Sequence, residues 1–456
     1  MTEALLMSLT DTVTHVLVGY GAWILPELEE RLPERSVLIL EEPSVIAARG
    51  AQELAARFRC VAALIEAPTQ DEEHPERLVA ALPRPQNVRA VIPAVEYAVV
   101  AAAALADSWG LPGAGLPAAR VFRDKARLRT VADEAGIPQP RWASVHGPDA
   151  VERFRAEHGA ACVIKPANRQ ASLGVQLLEP EDDAHALWEH TAGASESRQR
   201  APYEGADRYL VEQRVYGPEV SVEALVHQGV VGFRNVTAKT VQGSRHPVEL
   251  AHAVPAALPA ATEAALHDAV QQLATAAGFQ DGVLHAEWIL GDGGPYLVEC
   301  AARLPGDGIS VLISLAYGGN FVADLLGLLE GHGPVPSRDP VAGAAVRFLS
   351  AAPGLVEAVQ GEEEARQAKG VHQVQLAVAA GDTVKPTTSS WERAGQIIAI
   401  GADGPEAAAN ALAAADRITV RSVEAPAPAS GSAPAASEAD RSGDAPAPAP
   451  TEGDRS

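Results

Sequence analysis

The chain has 456 residues, 47% of them hydrophobic, and a formal charge of −23. That length supports several domains and a sizeable core, and so acidic a surface argues against a nucleic acid or an anionic membrane as partner. Cys60, Cys162 and Cys300 lie far apart with no metal-ligand spacing, which points to a reducing compartment without disulfides. The opening "MTEALLMSLTD" has no basic n-region, and the longest apolar run, near "YAVVAAAALA", is too short to span a bilayer. A soluble, cytoplasmic protein with no membrane partner is expected.

In chain order, "VTHVLVGYG" reads as a strand entering a turn, "AWILPELEERL" as a helix and "RSVLILEE" as the next strand. "RCVAALIEA" and "RAVIPA" continue the βα rhythm of a parallel sheet through residues 1–110. Gly19 and Gly21 follow the first strand, but the third glycine of a dinucleotide fingerprint is missing, so a tight strand-to-helix turn is expected. "GLPGAGLPAARVFRDKARLRTVADEAGIPQPRW" is a Gly/Pro-rich loop, one helix carrying Lys125, and a stop. "ACVIKPANRQASLGVQLLE" is strand, loop, strand, with Lys165 at the end of the first strand. The helix "PEDDAHALWEHTAG" and a polar loop over 192–207 follow.

"RYLVEQRVYGPEVSVEALVHQGVVGFRNVTAK" reads as an antiparallel series with a kink at Gly217–Pro218 and a turn at His227–Gly229. A helix from about Pro259 to Gly278 leads into the hairpin "LHAEWILGDGGPYLVECAARLPGD". Residues 341–422 hold candidate strands "GAAVRFL", "HQVQLAV" and "GQIIAIG" and a closing helix, "PEAAANALAAADRI". The Ala/Pro-rich acidic tail, 423–456, has no apolar periodicity and is expected to be disordered.

With Gly293 as the centre of the turn, Glu287 and Glu299 become cross-strand partners projecting from one face, while Trp288 and Val298 pack together on the other. Like charges directly opposite are destabilising, so a neutralising partner is required unless the charges simply face water. A hard divalent cation such as Mg²⁺, held by two carboxylates and substrate phosphates, fits the pair. Arg303, just past the strand, offers a planar fork for a phosphate or carboxylate. Lys165 and the loop after it can meet phosphates with an ammonium and backbone amides. At the Gly217–Pro218 kink, backbone groups can pair with an adenine edge and Glu219 can accept from ribose hydroxyls.

Taken together, this order of lysine, lysine with loop, hinge with glutamate, and paired glutamates resembles the ATP-grasp superfamily over roughly 110–330. Within it the chain is most similar to L-amino-acid ligases and related carboxylate–amine ligases, through "VELAHAVPAALP", "GVLHAEWIL", "GPYLVECAARLPGDGI" and "AAVRFLSAAPG". The resemblance implies an α/β (α+β) ATP-grasp fold with an N-terminal Rossmann-like βα domain (1–110), a two-lobed core (111–335, hinge near 212–219) and a C-terminal strand-rich module (336–422). It implies ATP and Mg²⁺ (or Mn²⁺) as cofactors and a small-molecule carboxylate and amine, amino acids foremost, as substrates. Lys125, Lys165, Ser172 and Gly174 would meet phosphates, Glu212 and Val215 the adenine, and Glu219 the ribose. Glu287 and Glu299 would hold the metal, Arg303 would contact the transferred phosphate, and Lys239 and His252 would line the substrate side. The segments 168–174 and 192–207 are candidate lids, and a homodimer fits the resemblance. One departure is Ala301, where the superfamily often has an asparagine. A carboxylase forming carboxyphosphate and a nucleotide-binding protein without turnover are the alternative readings.

Overall fold

The computed structural model describes residues 12–203, 208–243 and 245–423; the tail beyond Val423 and residues 204–207 of the polar loop lie outside the described residues. The N-terminal region forms a parallel sheet of β1 (His15–Val18), β2 (Val37–Glu41), β3 (Val61–Glu66) and β4 (Ala90–Pro93) in the order β3-β2-β1-β4. Every residue of β1 and β2 is buried, as expected for parallel strands covered on both faces. Gly19 has φ +85°, and a Cβ there would lie 2.3 Å from the Val95 side chain, so the turn after β1 requires glycine.

The segment read as one helix is two, α1 (Leu116–Arg123) and α2 (Lys125–Ala135). Asp124 is extended, and its carboxylate accepts from the amides of Ala126 and Arg127, restarting the helix. Lys125 is therefore the first residue of α2. A four-stranded antiparallel sheet follows, with β5 (Trp142–Val145), β6 (Cys162–Pro166), β7 (Gln176–Leu178) and β8 (Tyr209–Gln213) in the order β5-β8-β6-β7. The expected antiparallel series thus divides at the kink, because β8 pairs with β5 and β6 and not with the strand after Gly217.

That next strand, β9 (Glu219–His227), belongs to an eight-stranded antiparallel sheet with β10 (Val230–Val241), β11 (Glu249–Val254), β12 (Gly282–Gly291) and β13 (Gly294–Ala301). The C-terminal region supplies β14 (Gly343–Leu349), β15 (Gly354–Gln360), β16 (Val371–Leu376), β17 (Thr383–Val384), β18 (Gly395–Gly401) and β19 (Thr419–Val423). Of these, β14, β18 and β16 extend the large sheet, whose order is β13-β12-β9-β10-β11-β14-β18-β16, while β17-β15-β19 form a small sheet.

Alternation along the central strands sorts side chains by chemistry. Val220, Val222 and Ala224 of β9 and Leu284, Ala286 and Trp288 of β12 are buried with α1, α2 and α3 (Ala260–Ala277). The intervening Glu219, Ser221, Glu223, His285 and Glu287 share the opposite face. The apolar helices α4 (Ile309–Tyr317) and α5 (Phe321–Leu329) join Leu17 and Ile39 of the parallel sheet to Phe233, Val346 and Ile398 of the large one. Among the described residues no single helix is long and apolar enough to cross a membrane.

Gly217 has φ +156°, and a Cβ on it would fall 2.1 Å from the carbonyl oxygen of Leu290. The Leu290 amide donates to the Pro218 carbonyl at 2.8 Å, locking the kink to β12. Gly217→Ala should lower stability by about 1–3 kcal/mol, read as a lower thermal midpoint; an unchanged midpoint would refute the close approach.

Candidate functional site

A cavity of about 740 Å³ opens between the parallel sheet, the four-stranded sheet and the polar face of the large sheet. Every residue given a phosphate, adenine, ribose, metal or substrate role from the sequence lines it except Gly174. Gly174 instead packs behind the loop, where a Cβ would sit 3.0 Å from Ala194 and 3.1 Å from Pro166, at φ +75°. Ala171 and Ser172 are left-handed, and the Ser172 hydroxyl donates to the Pro247 carbonyl at 3.3 Å.

Glu287 and Glu299 are direct cross-strand partners, as expected, although by a different route. The turn is the two-residue Asp292–Gly293, with Gly291 facing Gly294. Trp288 therefore faces Leu297, not Val298, and a bulge between Glu287 and Trp288 restores the glutamate pairing by adding one residue, Val298, to β13. The Val298 carbonyl, outside the ladder register, accepts from Arg129 at 2.6 Å and Lys165 at 3.4 Å.

The two carboxylates are neutralised by different lysines. Lys125 reaches Glu299 at 2.9 Å and also donates to the Arg169 carbonyl. Lys239, buried on β10, contacts Glu287 and lies 3.4 Å from Glu249 and 3.5 Å from Glu219. Burial opposes the Lys239 charge, but the three glutamates outweigh it and hold the ammonium well above its ordinary range. Burial pushes the Glu219 carboxyl up to about 7 despite Lys239, with Glu287 and Glu249 adding repulsion.

Behind Glu287 stands His285, whose Nε2 lies 3.1 Å from the Glu287 carboxylate and whose Nδ1 lies 2.9 Å from Glu223. Glu223 is fully buried and also accepts from Ser221, Asn235 and Thr237. Burial disfavours a charged His285, yet the hydrogen bonds to the two glutamates outweigh it and lift the imidazole to about 9. Ala301 is the cross-strand partner of His285, so the position expected to hold asparagine faces this ring.

At the hinge, Glu212 makes a bidentate pair with Arg129, at 2.8 and 3.1 Å, and binds Lys165 at 2.8 Å. Burial alone would raise this carboxyl; Arg129 and Lys165 bring it down to about 2. Its side chain is thus committed to two cations. Arg303 donates to Glu96, from the turn after β4, at 2.9 Å.

At the far end a bulge on β11 places Glu249 opposite Val241 and His252 opposite Lys239. The inserted residue shifts the alternation, so Glu249 and His252, three apart, share the cavity face. The loop before β18 brings in Arg393, which binds Asp307 at 2.6 Å and Glu249 at 3.1 Å. Arg129, His285, Glu249, Asp307 and Arg393 were not singled out from the sequence. His285 alone had a local signal, since it precedes Glu287 by two residues and must share its face.

Two family models match the chain: the ATP-grasp domain over residues 158–311 and the L-amino acid ligase C-terminal domain 2 over residues 347–423. Residues 158–311 thus carry an ATP-grasp domain. The chain is 28% identical over 223 residues to a D-alanine–D-alanine ligase of Aromatoleum aromaticum, covering 48% of this chain and 69% of that one. It is 27% identical over 343 residues to an uncharacterised protein, y4rH, of Sinorhizobium fredii, covering 74% and 67%. Among solved structures, the L-amino acid ligase from Bacillus licheniformis shares the fold with a TM-score of 0.73 at 22% identity, over 90% of this chain and 99% of that one.

The donor set suits the divalent ion such ATP-grasp proteins use. Glu287 and Glu299 offer hard oxygen donors on one face, and among the described residues no cluster of three or more His, Cys, Asp or Glu forms a cage. Two carboxylates completed by phosphate and water is a magnesium arrangement.

Part of the polar loop expected to be a lid is docked on the N-terminal region. Tyr97 donates to Glu196, Arg49 and Gln70 bind Gln199, and Tyr203 donates to Glu42. Burial pushes the Glu196 carboxyl up to about 8. The folded value lies above the unfolded one, so this docking is strongest below the ordinary carboxylate range and weakens as pH rises through about 8. Tryptic cleavage after Arg198 and Arg200 should accelerate between pH 7 and 9, and Glu196→Gln should flatten that dependence.

Proposed function

We propose that this chain is an ATP-dependent carboxylate–amine ligase that forms an amide through an acyl phosphate, releasing ADP and phosphate. The observation that carries this reading is the same-face pair Glu287 and Glu299, served by separate lysines in one cavity that also receives Lys165, Arg303 and the C-terminal Arg393.

In this reading the adenine lies against the backbone near Val215, with Glu219 at the ribose. Glu212 acts from behind, fixing Lys165 and Arg129. Lys125, Lys165, Ser172 and the amides of 168–174 meet the phosphates, with Gly174 providing room for the loop. Glu287 and Glu299 would hold magnesium or manganese, which when bound supplies charge neutralisation at the phosphate oxygens. The γ-phosphoryl group passes to the substrate carboxylate, with Lys125 and Arg303 offsetting charge that develops on the transferred oxygens. An amine then displaces phosphate. Arg303 is tied to Glu96 of the N-terminal region, so that region would orient the group that meets the acyl phosphate. Lys239 and His252 line the substrate end, where the paired charges suit zwitterionic amino acids. The domain boundaries 1–110, 111–335 and 336–422 are proposed as functional units, although the last two share one sheet.

ADP release with ATP, magnesium and a pool of the common amino acids tests the reading. Glu287→Gln and Glu299→Gln should each lower turnover by at least about 100-fold, and mass spectrometry should find a dipeptide. ADP release that needs bicarbonate and no amine would refute the ligase.

Arg129→Met should destabilise the fold by about 3–5 kcal/mol, because Glu212 would remain buried with Lys165 as its one close cation. Chemical denaturation measures this directly, and a change below 1 kcal/mol would contradict the role given to the pair.

A further inference from the structure

Resting on the ligase reading, we infer that His252 is the general base for the attacking amine and that Asp307 and Arg393 are the residues that position it. An acyl phosphate is attacked by a neutral amine, whereas an amino-acid substrate arrives as an ammonium at neutral pH. A proton acceptor inside the closed site is therefore needed.

His252 is fully buried at its side chain yet forms part of the cavity wall. Its Nε2 lies 3.0 Å from the Asp307 carboxylate. Its Nδ1 is buried and has no hydrogen-bond partner within the protein. Arg393 and His252 outweigh the burial that opposes charge on Asp307 and keep its carboxyl well below the ordinary range. An ionised carboxylate only accepts, so Nε2 carries the ring proton and Nδ1 keeps an unpaired lone pair, shielded in the empty site, that the closing of the site around the amine would have to uncover.

The orienting shell is built from distant segments. Asp307 is left-handed, at φ +59°, in the turn that starts α4. Its second oxygen is held by Arg393 at 2.6 Å, and the same guanidinium reaches Glu249 at 3.1 Å. Phe348 of β14 supports both cationic and aromatic members: Arg393 stacks 3.6 Å from its ring centre, and the His252 ring meets it edge-on at 5.5 Å. Base and orienter thus stand as in a nucleophile–base–carboxylate triad, with the substrate's nitrogen taking the nucleophile's place.

The step balances. Nδ1 of His252 accepts one proton from the ammonium. The freed nitrogen lone pair forms the C–N bond at the acyl carbon. The C–O bond to phosphate breaks with its electron pair, and phosphate leaves with the second nitrogen proton. The imidazolium then returns its proton to solvent.

Competition between two nucleophiles tests this. Hydroxylamine is already neutral at pH 7 and needs no base, whereas amino-acid ammonium does. With ATP, magnesium and the amino-acid pool, the ratio of dipeptide to hydroxamate should fall by about 100-fold in His252→Gln and by about tenfold in Asp307→Asn. Arg393→Gln should move the ratio in the same direction. Hydroxamate formation certifies that a variant folds and activates the carboxylate; where His252→Gln makes neither product, the other two variants carry the test. A ratio within about threefold of the unaltered chain in all folded variants overturns the assignment. An unaltered chain that makes neither product with any amino acid sinks the ligase reading instead.

Discussion

Two carboxylates facing each other across a hairpin set the terms for everything around them. The pairing of Glu287 with Glu299 is repulsive, and it persists because Lys125 and Lys239 arrive from elements remote in sequence. Lys125 can reach Glu299 because Asp124 breaks the helix and restarts it there. Lys239 is held beside Glu287 by the register of β10 against β9 and β11. Each pairing puts carboxylate oxygens, which suit a divalent ion, beside an ammonium, which suits a phosphate.

A second layer makes that surface rigid. His285 and Glu223 extend the charge alternation into the core, where Ser221, Asn235 and Thr237 complete the carboxylate's hydrogen bonds. A buried polar group that is fully satisfied fixes geometry, whereas a half-satisfied one would loosen it. Ala301 fits this scheme, since the small side chain lies opposite the imidazole and leaves it room to meet both glutamates.

Much of this was legible in the sequence, sometimes for the wrong reason. The glutamate pairing followed from symmetry about Gly293, yet the hairpin turns half a residue earlier and a bulge at Val298 cancels the difference. Two offsets that compensate are invisible to a spacing argument. The parallel rhythm of the first hundred residues was readable because each strand is a short apolar run between helices. The division between β8 and β9 was not, because both are ordinary strands and the partners of β8, which are β5 and β6, lie well before it in the chain, whereas β9 pairs with β10 and β12 after it. Asp307 and Arg393 escaped notice because they meet across 86 residues and neither sits in a pattern. Asp124 did carry a signal, a helix-capping residue inside an apparently continuous helix.

The continuous large sheet has a consequence for how the protein is made. Strand β11 carries Glu249 and His252, and its outer neighbour is β14, with β18 and β16 beyond. Until those strands have been synthesised, β11 is a bare sheet edge of the kind that invites pairing with other chains. The half that carries Glu287 and Glu299 can assemble first, from segments that leave the ribosome early, but the end of the cavity at Glu249 and His252 stays open until residues near 393 and 401 emerge. Synthesis order thus separates an early half, with Lys125, Lys165, Glu287 and Glu299, from a late half that brings Arg393 to Asp307, and a nascent chain passes through a stage that has the first without the second.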